Sequence, residues 1–302
     1  MAEHSEQPPP RGAVVEIGGG RRMRAVRAGP TASLHPLVLL EAGAFGFSAD
    51  WAVVQERLAG KGLRSLAYDR AGLGFSDPGP SPRDALAIAG DLEALFAAIG
   101  EAGPLILCGH SMAGLHLRLY AGRNPARVAG VVLVDATTPE AMDSKLVSGF
   151  VDRFAGVSRM AAWGARSGLF APLAKAGVAD GIGLTGSARE EKRWAFADPV
   201  HNHWAAEEAA QWPRAAAQAR AAGRFDPALP VAVILAGSPE GTERWKSLQT
   251  APANASRHGS IDHVRGASHA NILGARFADR VVRGIENVRA VAESTDHSSA
   301  PG

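Results

Sequence analysis

The chain has 302 residues and carries 32 lysines and arginines against 30 aspartates and glutamates, so its formal net charge at pH 7 is only +2. A content of 46% hydrophobic and 21% charged residues is typical of globular proteins and excludes a wholly disordered chain or a coiled coil. Because the basic residues are scattered among acidic ones, we expect no nucleic-acid partner.

The N-terminal segment and the cysteine content give information about the cellular compartment of the protein. Residues 1–12 are polar and proline-rich with no apolar run behind them, so we expect no signal peptide. No stretch reaches the roughly 18 apolar residues that a membrane span needs. The single cysteine, Cys108, cannot form an intramolecular disulfide, which agrees with a reducing compartment. Together these features predict a cytoplasmic protein without a membrane span.

Short apolar runs alternate with longer, alanine-rich amphipathic segments along most of the chain, which predicts βαβ units around a parallel sheet. The predicted strands are 14–17, 23–26, 36–40, 63–68, 105–108, 128–134, 231–235 and 261–264. The predicted helices are 49–58, 83–99, 112–123 and 277–292. The first two strands flank three glycines at 18–20 and are expected to form a hairpin. The fold class is therefore α/β.

One long segment interrupts this alternation. Between Asp135 and Pro230 there is no convincing strand, and a structureless loop of this length does not fit a compact fold. We interpret it as a helical cap inserted after the sixth strand. The predicted organisation is a disordered tail (1–12), a first core part (13–135), the cap (136–229), a second core part (230–292) and a disordered tail (293–302).

The strongest local signal lies at 105–114, where an apolar strand stops at Gly109 and a helix begins after Ser111. A serine on such a strand-to-helix turn has a strained backbone that presents its hydroxyl, and its neighbours must be small. The G-x-S-x-G pattern carries Ala113 in its last position, with Gly114 following. In this context the pattern predicts a nucleophile rather than an ordinary helix N-cap. The same turn supplies the Met112 N–H as an oxyanion donor.

A serine nucleophile needs a base, and the base needs an orienting carboxylate. His269 is the best base because it follows the last predicted strand, at the carboxyl edge of the sheet. We interpret four other histidines as packing or solvated residues: His110, whose side chain should point away from the nucleophile, His201, His203 and His263. Two acids compete, since Asp135 ends the sixth strand and Glu240 follows the seventh.

Residues 12–292 resemble the α/β-hydrolase superfamily through four segments in the expected order. These are Leu40-Glu-Ala-Gly-Ala-Phe-Gly-Phe-Ser48, Tyr68-Asp-Arg-Ala-Gly-Leu-Gly-Phe-Ser-Asp77, Gly109-His-Ser-Met-Ala-Gly114 and Gly266-Ala-Ser-His269. The resemblance implies a mostly parallel eight-stranded sheet with helices on both faces and a helical cap inserted after strand six. It also implies that the Ala44 N–H is the second oxyanion donor, although Ala42 replaces the family's histidine in this loop.

The resemblance favours Asp135 over Glu240. Most members of the superfamily carry the acid after strand seven, but a variant group that includes the haloalkane dehalogenases keeps it at the end of strand six. The loop at 237–243 also lacks the family's usual aspartate.

The predicted function is hydrolysis of carboxylic esters through an acyl-enzyme. Ser111 attacks, His269 moves the proton, Asp135 orients His269, and the Ala44 and Met112 amides hold the oxyanion. Alternatives are lactone, amide or C–C hydrolysis, a cofactor-independent peroxidase-type reaction, and a non-catalytic ligand-binding protein. Dehalogenases and epoxide hydrolases use an aspartate nucleophile, so a serine at this position excludes both chemistries.

No cofactor is expected. The pair His201 and His203 has no third ligand nearby for a metal, and the glycines at 18–20 lack the spacing of a dinucleotide loop. As substrate we expect a small-molecule ester with an apolar acyl or alcohol part. The cap tryptophans either line an apolar acyl pocket or fill the cap's own core. Asp69 and Arg70 are interpreted as a structural pair that anchors a loop.

Overall fold

The computed structural model describes residues 7–176, 180–238 and 244–298. Within these ranges eight strands form one sheet in the order β1-β2-β4-β3-β5-β6-β7-β8. The strands are β1 (Ala13–Glu16), β2 (Arg22–Ala28), β3 (Leu37–Glu41), β4 (Ser65–Tyr68), β5 (Leu105–His110), β6 (Val128–Val134), β7 (Val231–Ala236) and β8 (Gly259–Val264). The strands β1 and β2 form an antiparallel hairpin, β2 pairs antiparallel with β4, and the remaining neighbours run parallel.

The described helices divide into those around the sheet and those in one insertion. The helices are α1 (Ala52–Gly60), α2 (Ala85–Ile99), α3 (Ala113–Arg123), α4 (Lys145–Arg166), α5 (Ala171–Lys175), α6 (Gly186–Ala197), α7 (Pro199–Ala210), α8 (Trp212–Ala221), α9 (Arg244–Ala255) and α10 (Ala278–Ser298). The helices α4 to α8 all lie between β6 and β7, so the predicted helical cap after the sixth strand is present.

The sheet is covered on both faces, which explains why its strands are apolar almost throughout. Along β5, Leu107 belongs to a buried cluster with side chains of α2 and α3. Its neighbours Ile106 and Cys108 belong to a second cluster with side chains of α1 and α10. This alternation follows from the two-residue period of a strand, and it confirms the predicted layers of helices on both faces. Cys108 is fully buried in the second cluster.

Strand β5 runs two residues beyond the predicted end at 108. Gly109 and His110 continue the parallel ladder opposite Leu133 and Val134 of β6. The nucleophile candidate therefore follows directly on the last paired residue of a central strand. A helix that the sequence analysis missed, α9, contains Pro252 in its interior, and proline is a signal against a helix.

At both ends of the chain, the described residues differ from the predicted disordered tails. The helix α10 continues to Ser298, and the expectation of disorder from residue 293 is wrong for 293–298 because Glu293 forms ion pairs with Arg289 and His35. At the other end Arg11 is held by the buried carboxylate of Glu191, so the expected tail 1–12 is anchored at that point. Residues 1–6 and 299–302 lie outside the described ranges. In the described helices, no segment has the length and apolar content to cross a membrane.

Candidate active site

Ser111 lies on a strained turn between β5 and α3. Its φ is +59°, a left-handed conformation that is uncommon for residues other than glycine. A Cβ atom at Gly109 would lie 2.6 Å from Leu117 Cδ1 and 3.0 Å from the Cβ of Ala113. The absence of a side chain at Gly109 therefore leaves room for alanine at position 113, which explains the departure from the usual pattern. A Cβ atom at Gly114 would lie 2.4 Å from the Thr137 carbonyl oxygen, so Gly114 lets α3 approach the loop after β6.

Three predicted residues from distant parts of the chain meet at this edge of the sheet. The His269 Nδ1 atom lies 2.6 Å from Asp135 Oδ2, and His269 Nε2 lies 3.0 Å from Ser111 Oγ. A carboxylate only accepts hydrogen bonds, so Nδ1 carries the proton and Nε2 accepts the bond from the serine hydroxyl. This is the arrangement that a serine nucleophile requires of its base. Ser111 and Asp135 are both 8% exposed.

The backbone around Asp135 aims its carboxylate at His269. Asp135 follows β6 with a φ of +44°, and its N–H donates to the Ile234 carbonyl oxygen at 2.7 Å. The other carboxylate oxygen, Oδ1, lies 3.4 Å from the Ala236 amide nitrogen. The competing acid, Glu240, lies outside the described residues.

The loop after β3, residues 42–46, approaches Ser111 closely. A Cβ atom at Gly43 would lie only 2.8 Å from Ser111 Cβ, so no larger residue fits there without a shift. The Gly46 N–H donates to the Gly43 carbonyl oxygen at 3.1 Å and closes a turn in which Phe45 has a φ of +58°. Within the described residues, neither the Ala44 nor the Met112 amide donates a hydrogen bond in this turn or at the start of α3. Among the described residues these two N–H groups therefore have no backbone acceptor, and both residues lie near the serine, because Met112 follows it in the chain and Ala44 borders the same cavity.

The predicted structural pair, Asp69 and Arg70, follows β4 and is buried. The Asp69 carboxylate accepts the backbone N–H groups of Ser48 and Phe75 and forms an ion pair with Arg24. Arg70 donates to the Ala42 carbonyl oxygen in the 42–46 loop. Both residues anchor loops next to the site.

A cavity of about 590 Å³ opens onto Ser111 between the sheet and the cap. On the sheet side it is bordered by Ala44, Ser111, Asp135, Thr137 and His269. On the other side it is bordered by Ala141, by Val147, Phe150, Val151 and Phe154 of α4, by Trp212 of α8, and by Gln249 of α9. The cap wall is therefore mostly aliphatic and aromatic.

The four cap tryptophans have different surroundings, so neither predicted role holds for all of them. Trp212 borders the cavity, and its ring lies 5.7 Å from that of Phe154. Trp194 packs on Phe75 at 4.9 Å, and Trp163 is 71% exposed on α4. The fourth, Trp204, packs on the glycine at position 72.

His110 was predicted only to point away from the nucleophile, and its contact with His269 was not predicted. Its ring lies 4.4 Å from the His269 ring, and its Nε2–H donates to the His269 carbonyl oxygen at 2.8 Å. Burial and the nearby His269 lower the pKa of His110 to about 3, so its ring is neutral at physiological pH. His201 is also buried, and its Nδ1 accepts the Gly74 N–H at 3.0 Å. Burial, with the charge of Lys192, lowers the pKa of His201 to about 3.

The remaining histidines and possible metal ligands lie elsewhere. His203 is exposed on α7, and His263 lies within β8 as predicted. Among residues 7–176, 180–238 and 244–298, no group of three or more His, Cys, Asp or Glu side chains is placed to hold a metal ion.

The sheet order, the inserted cap and the strained strand-to-helix turn at Ser111 define a class of α/β proteins, and similarity to known proteins identifies it. A family model described as the α/β hydrolase fold matches residues 36–237, which is more than half of the chain. The chain belongs to the α/β-hydrolase family. Over 129 residues it is 35% identical to an AB hydrolase superfamily protein of Gibberella zeae, and the match covers 41% of this chain and 40% of that relative. The chain spans less than half of the length of the curated relatives that it matches here.

Solved structures share the fold over nearly the whole chain. An epoxide hydrolase candidate from Pseudomonas aeruginosa has a TM-score of 0.69 at 19% identity, with 93% of this chain and 96% of that chain covered. A thermophilic esterase from Thermogutta terrifontis has a TM-score of 0.61 at 18% identity, with 93% and 100% covered. At these identities the likeness concerns the fold alone.

Proposed function

We propose that the protein is a serine hydrolase that cleaves carboxylic esters through an acyl-enzyme on Ser111. The observation that carries the proposal is the pair of contacts at His269, 3.0 Å to the serine hydroxyl and 2.6 Å to the Asp135 carboxylate. A base in hydrogen-bond contact with both a strained serine and a buried carboxylate is the arrangement that activates a hydroxyl for attack.

In the first half-reaction the Ser111 oxygen attacks the ester carbonyl carbon while His269 Nε2 takes the hydroxyl proton. Asp135 stabilises the imidazolium that forms. The carbonyl oxygen becomes an oxyanion, which the Ala44 and Met112 N–H groups stabilise; one such donor typically contributes about 3 kcal/mol. His269 then gives its proton to the departing alkoxide, which leaves as the alcohol.

In the second half-reaction water replaces the alcohol. His269 takes a proton from the water as its oxygen attacks the acyl carbonyl, and it returns that proton to Ser111 Oγ as the acid leaves. The half-exposed ring of His269, with 55% of its side chain accessible, supports this step because water reaches the base.

The apolar cap wall supports an ester with a bulky apolar acyl or alcohol part as substrate. A cavity of about 590 Å³ is within the range of small-molecule sites. The near-neutral net charge agrees with selection by apolar contact rather than by charge. Lactones are cyclic esters and pass through the same acyl-enzyme, so they belong in the tested panel.

Although one structural neighbour is described as an epoxide hydrolase candidate, the serine argues against that chemistry for this chain. Attack by a serine on an epoxide carbon would leave an alkyl ether, which has no carbonyl group for water to attack.

The test is hydrolysis of a panel of p-nitrophenyl esters of increasing acyl length, together with a lactone, by the wild type and by Ser111→Ala. We expect the substitution to lower kcat by about 10⁶-fold, with a residual rate about 10³-fold above the uncatalysed reaction that the oxyanion donors and substrate binding supply. Circular dichroism on both proteins shows whether the variant keeps its fold. Equal rates for the two proteins would refute the proposed function.

A further inference from the structure

Arg70 is buried directly behind the 42–46 loop, and all three nitrogens of its guanidinium donate hydrogen bonds. It is 2% exposed. Its Nη1 group donates to Glu41 Oε1 at 2.8 Å and to the Ala42 carbonyl oxygen at 2.6 Å. Its Nη2 group donates to the Gly43 carbonyl oxygen at 2.8 Å and lies 2.8 Å from Glu208 Oε2, while Nε contacts the Glu208 carboxylate at 2.9 Å. The hydrogen bonds use four N–H groups spread over all three guanidinium nitrogens, which the single ammonium group of a lysine cannot reproduce.

One of these contacts acts on the peptide unit that carries the Ala44 amide. The carbonyl of Gly43 and the N–H of Ala44 belong to the same planar peptide group, so fixing the direction of the oxygen fixes the direction of the N–H. The Gly43 oxygen accepts from Arg70 on one side and from the Gly46 N–H on the other. Arg70 therefore helps to fix the orientation of the peptide group that carries the Ala44 N–H, next to Gly43, where an added Cβ would lie 2.8 Å from Ser111 Cβ.

The charge of Arg70 is balanced from both the core and the cap. On the core side, Glu41 of β3 also accepts hydrogen bonds from Tyr68 and His116. Burial opposes ionisation of Glu41, but the His116 hydrogen bond and the Arg70 charge hold its pKa below the ordinary value. On the cap side, the only carboxylate that contacts Arg70 within the described residues is Glu208 of α7, which is 2% exposed.

A second cap helix touches the same loop. Lys192 of α6 lies 3.4 Å from the Phe45 carbonyl oxygen and forms an ion pair with Asp50 at 2.7 Å. The 42–46 loop is thus held by contacts that come from α6 and, through Arg70, from α7. Neither Arg70 nor Glu208 borders the cavity in which the substrate would lie.

We propose that Arg70 is a positioning residue that directs the Ala44 N–H toward the oxyanion. We further propose that, through Glu208, this direction depends on α7 of the cap being packed against Arg70. The cap then does more than enclose substrate, because displacing α7 would release Arg70 and misdirect an oxyanion donor. The inference rests on the proposed serine esterase function.

The test compares Glu208→Gln with Glu207→Gln, its neighbour on the same helix. We expect Glu208→Gln to lower kcat by about 100-fold with little change in KM, because a donor displaced by about 1 Å loses transition-state contact and not substrate contact. Glu207→Gln should behave as the wild type. Glu208→Asp keeps the charge on a shorter side chain, and we expect it to recover about tenfold of the lost kcat.

A trifluoromethyl ketone gives a readout that a merely structural role would not move. Ser111 adds to its carbonyl carbon, His269 takes the serine proton, and the hemiketal oxyanion lies where Ala44 donates. We expect Glu208→Gln to weaken inhibition by the ketone about 100-fold and inhibition by the matching alcohol hardly at all. Equal weakening of both ligands, or no weakening of either, would overturn the inference. A wild type that hydrolyses none of the esters would refute the proposed function instead.

Discussion

The two walls of the active-site cavity are built in different ways. The sheet wall consists of strand ends whose backbone is strained or crowded: Ser111 and Asp135 both have positive φ, and Gly43 lies against the serine. The cap wall consists of ordinary helices, and it borders the cavity through side chains such as Phe154 and Trp212. The backbone therefore fixes the reacting groups, while side-chain volume alone shapes the rest. We expect changes in the sheet wall to lower kcat and changes in the cap wall to alter substrate preference.

The largest expected effect in this comparison concerns Asp135, the carboxylate that orients His269. Asp135→Asn should lower kcat by about 10⁴-fold, because an asparagine favours the wrong tautomer of His269 and does not stabilise its cation. Glu240→Gln should leave kcat near that of the wild type. Steady-state kinetics on one p-nitrophenyl ester distinguishes the two acids, and a severe loss in Glu240→Gln with an active Asp135→Asn would reverse the assignment.

A second change in the sheet wall tests the close approach of the 42–46 loop. Gly43→Ala places a methyl group 2.8 Å from Ser111 Cβ and pushes the loop away from the serine, so we expect kcat to fall about 100-fold. Gly90→Ala is the matched control, since a Cβ at that position in α2 meets nothing within 4 Å. Equal kcat values for the two variants would show that the loop need not lie so close.

A substitution in the cap wall should change the preference between bulky and small esters. Phe154→Ala removes an aromatic side chain from the cavity and, at about 2 kcal/mol for the lost apolar contact, should lower kcat/KM for a bulky acyl ester about 30-fold. The value for an acetyl ester should change little. Met160→Ala, on the outer face of the same helix and 73% exposed before substitution, should affect neither ester. A parallel loss for both esters in Phe154→Ala would contradict the division between the two walls.

The smallest expected effect is on the pH dependence of stability, at the contact between the cap and the sheet. The folded state holds the pKa of His201 at about 3, below the ordinary value of 6.5. Between these values the unfolded chain binds a proton and the folded chain does not. The contribution of His201 to the free energy of unfolding therefore falls as the pH drops from 6.5 toward 3, by up to about 1.4 kcal/mol per pH unit.

His201→Gln removes this titration and keeps an acceptor for the Gly74 N–H. Urea unfolding at pH 7, 6 and 5 should give a smaller loss of stability on acidification for the variant than for the wild type. Parallel losses would mean that His201 ionises in the folded protein much as it does in the unfolded one.

The same two regions differ in how far the sequence predicts them. All eight predicted strands are present because buried apolar runs are distinctive, and β6 has the predicted bounds. Ser111 and His269 could be singled out because each lies beside small residues just after a strand. The helix α9 was not predicted because Pro252 lies in its interior, and proline is a signal against a helix.

The residues that shape the rest of the site left no comparable signal. Arg70 was recognised as a loop anchor, but its partner Glu208 is 138 positions away in one of several similar cap helices. Likewise, nothing local distinguishes Trp212, which borders the cavity, from Trp163, which is exposed. These features depend on how the cap packs on the sheet, and that packing has no short sequence pattern.

In the proposed mechanism Ser111 becomes covalently acylated, and labelling with a fluorophosphonate tests this role most directly. The serine oxygen attacks phosphorus, fluoride leaves, and a stable adduct remains that mass spectrometry can locate. We predict one adduct per chain, on the peptide that contains Ser111, in the wild type and in Gly90→Ala, and none in Ser111→Ala. An adduct on another residue, or equal labelling of Ser111→Ala, would contradict the account.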